Sequence, residues 1–190
     1  MEHGFDPRPD RPDAASALRE AAIEANVPYL RFLLDRGFDP QTLGVESNLI
    51  FLAAALEPLP EAALMLDMLL AEGLDINALD FCGQTPLLQS VKRQMNYDPT
   101  VGAVGLLLSR GANPIFRCTK GEYPLMLYFS GDAEKILEAI SNAIEARGIP
   151  FADVETQLLQ AMEQAVYRKS DEALRILRRL YWRRRYPVDG

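Results

Sequence analysis

Apolar residues return along this chain three and four positions apart, the spacing of one helix face, in short stretches separated by polar breaks. Tyr29, Leu30, Leu33 and Leu34 form one such stripe, and Met65, Leu66, Leu69 and Leu70 form the next. Ahead of the first, Leu18, Ala21 and Ala22 make a narrower stripe whose small side chains permit close packing. The broad stripes run out in one phrase: two apolar residues, two others, then glycine. It stands as Leu33-Leu34-Asp35-Arg36-Gly37, Leu69-Leu70-Ala71-Glu72-Gly73 and Leu107-Leu108-Ser109-Arg110-Gly111, with a degraded copy at Ile144-Glu145-Ala146-Arg147-Gly148. The glycines lie 36, 38 and 37 residues apart. A glycine just past a helix takes positive φ at little steric cost and closes it. Short polar links follow, Phe38-Asp39-Pro40, Leu74-Asp75-Ile76-Asn77 and Ala112-Asn113-Pro114, which read as turns.

A second phrase keeps the same rhythm: Ser or Thr (once Tyr), any residue, then Leu. It begins at Ser16, Ser47, Thr85, Tyr123 and Thr156, at intervals of 31, 38, 38 and 33 residues. A hydroxyl there accepts hydrogen bonds from the free N–H groups of an opening helical turn. Pro86 and Pro124, next in line, suit the first turn, where no helical partner is lost. Each unit thus reads as two helices, the first starting at the hydroxyl phrase and the second ending at the glycine. Five such units are expected, 14–43, 44–79, 80–117, 118–152 and 153–186, between tails 1–13 and 187–190. No unit buries its apolar face alone, and stacking them makes one long core. A plain helical bundle explains the amphipathic helices but not the shared phrase positions; a repeat at this period is the stronger signal.

Within that rhythm, Asp80-Phe81-Cys82-Gly83-Gln84-Thr85-Pro86-Leu87-Leu88 resembles the D-x-x-G-x-T-P-L-H phrase of the ankyrin repeat, with Leu88 in place of His. Lys120-Gly121-Glu122-Tyr123-Pro124-Leu125-Met126 keeps Gly, Pro and Leu, and Gly111-Ala112-Asn113-Pro114 resembles the opening of the family's finger turn. The resemblance covers the chain from Ala14 to Trp182, strong in the third unit and weak in the first, fourth and fifth. It implies an all-α ankyrin-repeat solenoid of stacked helix-turn-helix units with short finger turns. Units two to four are longer than the family's, and the extra residues are expected between the helices, at Glu57-Pro58-Leu59-Pro60 and Met95-Asn96-Tyr97-Asp98-Pro99. Bulky Tyr128 and Phe129 stand where the family has alanine, and the fifth unit, without a closing glycine, reads as a cap.

Chemistry is harder to find. The single histidine, His3, lies in the opening stretch, so a Ser-His-Asp or Cys-His arrangement lacks a base. No GxxxxGK[ST] or GxGxxG loop occurs, and two cysteines, Cys82 and Cys118, make neither a disulfide framework nor a His/Cys metal site. They read as two reduced thiols. No cofactor or metal is expected, and scattered carboxylates such as Glu20, Glu24, Asp67 and Glu72 read as a solvated face rather than a catalytic pair. A formal charge of -7 argues against nucleic acid as partner. Residues 1–13 hold three prolines among alternating charges and no apolar h-region, and are expected as a poorly ordered tail, not a secretory signal. No apolar run is long enough for a membrane span, so a cytoplasmic location is the default, and a monomer is the default state.

What the resemblance implies instead is protein binding, by a non-catalytic module, through the concave surface of finger turns and first helices. The corresponding positions are Phe81, Cys82 and Gln84 in the third unit, and Thr119, Lys120 and Glu122 in the fourth, flanked by Lys92 and Arg93. Phe81, on a turn expected to be exposed, is either an interface anchor or folded back on its neighbour. Inhibitor or immunity protein of a toxic or enzymatic partner, signalling adaptor and host-directed effector all fit; carboxylate-based enzyme and structural homo-oligomer are the rivals from other classes. From Arg168 to Gly190 eight basic and three acidic residues give a net +5, which leaves -12 on the rest of the chain. Contact with an acidic protein, phosphate or membrane surface is one reading of that end; the solvated face of a capping helix, its buried side made by Leu174, Ile176, Leu177 and Leu180, is the other.

Overall fold

The computed structural model describes residues 14–43, 48–56, 60–97, 102–126 and 133–187, without the side chains of 94–97 and 133. The expected tail over 1–13, Ser47, the loop at Glu57 to Leu59, Tyr128, Phe129 and most of the tail 187–190 lie outside the described residues. Within them the secondary structure is all helical: α1 (Ala14–Ile23), α2 (Val27–Asp35), α3 (Leu49–Ala55), α4 (Pro60–Ala71), α5 (Pro86–Tyr97), α6 (Gly102–Ser109), α7 (Ala133–Ala146), α8 (Phe151–Tyr167) and α9 (Asp171–Arg185). Two short 3-10 turns stand at Pro40–Thr42 and Pro124–Met126. No described helix is long and apolar enough to cross a membrane.

The glycine phrases end helices as their chemistry requires. Gly37, Gly73, Gly111 and Gly148 all have positive φ, and each sits in the same pair of bonds. In the first copy Gly37 N–H donates to Leu34 O (2.9 Å) and Phe38 N–H reaches back to Leu33 O (3.2 Å). Gly73 and Leu74, Gly111 and Ala112, and Gly148 and Ile149 repeat that pattern, which satisfies carbonyls the helix end would leave bare. After two other helices a residue other than glycine holds the same left-handed conformation: Ala25 after α1 (φ 53°) and Lys169 after α8 (φ 57°).

Helix starts follow the second phrase only in part. Thr85 Oγ1 accepts from Leu88 N–H at 3.2 Å and caps α5, as its position predicts. Asn48 rather than a hydroxyl caps α3, accepting from Ile50 N–H at 3.0 Å. Ser16 lies inside α1, and Thr156 lies inside α8, which starts at Phe151 behind Pro150. The run Phe151-Ala152-Asp153-Val154 has no helix breaker and puts an acid in the first turn, so helix forms ahead of the threonine. Tyr123 leads into a 3-10 turn, not an α-helix. The expected loop over Met95 to Pro99 is corrected at its start, where Met95, Asn96 and Tyr97 continue α5; Asp98 and Pro99 lie outside the described residues.

The helices form two neighbouring rows. In the first, α1 packs on α3, α3 on α5, α5 on the 3-10 turn at Pro124–Met126, and that turn on α8. In the second, α2 packs on α4, α6 on α7, and α7 on α9. Cross-row pairs α1·α2, α3·α4, α5·α6 and α8·α9 close the layers. One apolar core runs between them from Ala17 to Leu180, through Leu33, Leu49, Leu69, Leu87, Leu107, Ile144 and Leu158. Its largest fully buried side chain is Tyr123.

Candidate interaction surface

Two turns, five residues each, stand 38 positions apart along the chain and repeat one hydrogen-bond scheme. In the first, Asp80 N–H donates to Gln84 O (3.0 Å) and Gly83 N–H to Asp80 O (2.9 Å). In the second, Cys118 N–H donates to Glu122 O and Gly121 N–H to Cys118 O, both at 2.8 Å. The Asp80 carboxylate stiffens the first turn further: its Oδ1 accepts from Cys82 and Gln84 N–H, each at 2.8 Å, and its Oδ2 from Gln89 Nε2 at 3.3 Å. The turns touch. Thr119 Oγ1 donates to Cys82 O at 2.8 Å, and the space where Gly83 would carry a Cβ is filled by the Thr119 side chain.

The sequence-predicted residues fall into two groups on this surface. Phe81 points outward with 81% of its surface exposed, and Lys120 is exposed on the second turn; Cys82 and Gln84 are half-buried in the first. The alternative in which Phe81 folds back on its neighbour is not what the structure adopts. The other four are engaged by neighbouring residues of the protein, Thr119 while still exposed. Lys92, on α5, forms an ion pair with Glu122 on the second turn. Arg93 reaches back one unit and donates to the carbonyls of Ala54 (2.8 Å) and Ala55 (2.9 Å), which close α3. Thr119 holds Cys82. The Lys92 hydrogen bond holds the Glu122 carboxyl below its ordinary range, although its partial burial acts in the opposite sense. Cys118 is buried with its Sγ 3.7 Å from Glu122 Oε2, and both cysteines are free thiols.

Two members of the surface have no counterpart among the sequence-predicted residues. Leu79, one residue before the first turn, is 41% exposed. Arg117, at the matching place before the second, lies over the Tyr123 ring, 5.2 Å from its centre, and donates to Gln160 Oε1 at 3.3 Å. Tyr123 anchors this end: its hydroxyl lies 2.9 Å from Gln160 Oε1 and donates to Gln157 O at 3.2 Å, and burial pushes its pKa up to about 12. The signal for both was in the sequence: 79 and 117 are 38 apart, the interval of the turns they precede.

The basic C-terminal segment is compensated in part by the protein itself. On α9, Arg175 pairs with Glu172, Arg179 with Glu138 (3.3 Å), Arg183 with Glu145 (3.5 Å) and Arg185 with Glu155 (3.8 Å). Three of those acids belong to α7 and α8, so the arginines fasten the last helix to its neighbours. Trp182 stacks on Tyr186 (5.4 Å between centroids), and both are exposed. No family model matches this chain, and no curated protein is similar to it.

Proposed function

We propose that this chain is a short ankyrin-repeat solenoid acting as a non-catalytic binding module, and that a partner protein seats on the turns 80–84 and 118–122 and the helix behind them. The observation that carries the reading is the exposed Phe81 ring on a turn fixed by five hydrogen bonds around Asp80. A large apolar side chain has no stabilising reason to stand in water on so rigid a support. Held there, it meets a partner without the entropy loss of ordering a loop, and buried aromatic anchors dominate interface energies. Three further features support the solenoid: helix pairs in two rows, the recurrent glycine closure, and the two turns in one repeated geometry.

The sharper form of the proposal is inhibition, in which the module occludes the active site of an enzymatic or toxic partner; a signalling adaptor or a host-directed effector would use the same surface. Affinity capture from native lysate, wild type beside Phe81→Ala/Lys120→Ala, tests the binding role. A stoichiometric protein captured by the wild type and lost by the double variant is expected. Equal capture by both would place binding elsewhere, and titration of the captured protein with this chain reads inhibition directly.

A further inference from the structure

The formal charge of -7 invites a basic partner, yet the turn surface carries the opposite field. The two turns, the residues just before them and α5 place four cations, Lys92, Arg93, Arg117 and Lys120, against two carboxylates, Asp80 and Glu122. Both carboxylates are compensated from inside: Asp80 by three N–H donors, Glu122 by Lys92. The remaining cations are not. Arg117 has neutral neighbours, a Tyr123 ring and a Gln160 amide oxygen, and Arg93 donates to backbone carbonyls. Lys120 is exposed at the tip of the second turn. The first of these turns and the residue before it also carry the exposed apolar side chains of Phe81 and Leu79. We infer that this face recognises an acidic protein segment: a short extended stretch in which an aromatic or aliphatic residue, seated on Phe81 and Leu79, is flanked by Asp or Glu reaching Lys120 and Arg117. The inference rests on the binding role proposed above and specifies its partner.

Physical constraints favour that chemistry over a basic segment. A basic segment would meet Arg93, Arg117 and Lys120, which no carboxylate of this face pairs, and like charges brought together in an interface are strongly unfavourable. The acidic remainder of the chain does not cancel the attraction, because solvent ions screen exposed charges beyond about 10 Å at ordinary salt. Binding is therefore short-ranged, weakened by salt, and dependent on both the ring and the cations.

Panning a random twelve-residue peptide phage library on the immobilised full chain tests this. Enriched peptides, resynthesised with fluorescein, are then titrated by anisotropy against wild type, Phe81→Ala and Lys120→Glu, with thermal melts confirming that both variants stay folded. Expected is enrichment of net-negative peptides containing an aromatic or aliphatic residue. Each substitution should weaken their binding about tenfold or more, the size of an interface anchor, and added salt should weaken it further. Neutral or basic peptides that still require Phe81 would overturn the acidic class while leaving the binding face standing. Peptides indifferent to both substitutions, or no enrichment at all, would overturn both.

Discussion

Replacing Gly83 by alanine tests whether the two turns form one packed unit. At Gly83 φ is +68°, where an L side chain costs about 1–2 kcal/mol, partly offset by the lower entropy of the unfolded alanine chain. A Cβ there would lie 2.5 Å from Thr119 Cγ2 and 2.7 Å from Thr119 Oγ1, so threonine has to move. Moving it breaks the 2.8 Å bond to Cys82 O. That loss contributes about 1 kcal/mol, and forcing a side chain into filled space adds about 1–3 kcal/mol. Gly121 is the internal control: φ is +80° and nothing lies within 4 Å of its would-be Cβ, so Gly121→Ala carries the backbone cost alone. In urea denaturation followed by far-UV circular dichroism, Gly83→Ala should therefore lose about 2–4 kcal/mol more than Gly121→Ala. Thr119→Ala in the Gly83→Ala background should recover much of the difference, a coupling that a double-mutant cycle isolates. If the two glycine variants agree within about 0.5 kcal/mol, or if Thr119→Ala fails to rescue, the contact between the turns is not what fixes them.

Three further outcomes are expected. Arg147→Met should lower stability by about 1–2 kcal/mol in the same assay, because its guanidinium donates to Ala112 O (2.5 Å) and to Leu108 O at the end of α6, and charge-assisted bonds to those carbonyls are lost. Lys169→Gly should raise stability by about 0.5–1 kcal/mol, since φ 57° is strained for lysine and free for glycine; a lower unfolding midpoint would show that the lysine side chain outweighs the strain. The Glu122 carboxyl lies below its ordinary range when folded, so its pairing with Lys92 stabilises the chain above the unfolded value and is lost as pH falls through the folded one. Between about pH 5 and about pH 3, stability of the wild type should thus fall more steeply than that of Lys92→Met; parallel curves would remove the pair from the acid response.

The recurring glycine phrase was legible because it acts locally: the two bonds that close α2, α4, α6 and α7 join residues within five positions. Thr85 was legible for the same reason. Thr156 misled because a hydroxyl two residues before a leucine also occurs inside a helix, and nothing in the phrase forbids Phe151 to Glu155 from being helical. Lys92, Arg93, Thr119 and Glu122 were read as surface because their partners are distant in sequence: 30 residues separate Lys92 from Glu122, 38 and 39 separate Arg93 from its carbonyls, and 37 separate Thr119 from Cys82. A window long enough to define one helix cannot see them. The arginines of α9 were ambiguous on the same ground, with Glu138 and Glu145 lying 41 and 38 positions back.

Those separations carry an argument of their own, because they cluster near one value. Asn113 N–H donates to Asn77 Oδ1 across 36 residues, Arg147 to Ala112 and Leu108 across 35 and 39, and Gln157 Nε2 to Ile115 O across 42. Polar side chains therefore fasten successive stretches of the chain, about 35 to 42 residues apart, to one another. In a chain coupled between nearest neighbours, stability is approximately a sum over units and their contacts. Side chains in those contacts are constrained, and side chains outside them are not. Among the described residues, Phe81 and Lys120 make none of these long-range polar bonds, whereas Lys92 and Thr119 do. Substitution of Phe81 or Lys120 should accordingly abolish partner capture while moving the unfolding free energy by no more than about 0.5 kcal/mol. Substitution of Thr119 or Lys92 should lower stability whatever it does to capture. If Phe81→Ala instead destabilised the chain by about 2 kcal/mol, its exposed ring would be part of the packing, and loss of capture by that variant would say nothing about where a partner sits.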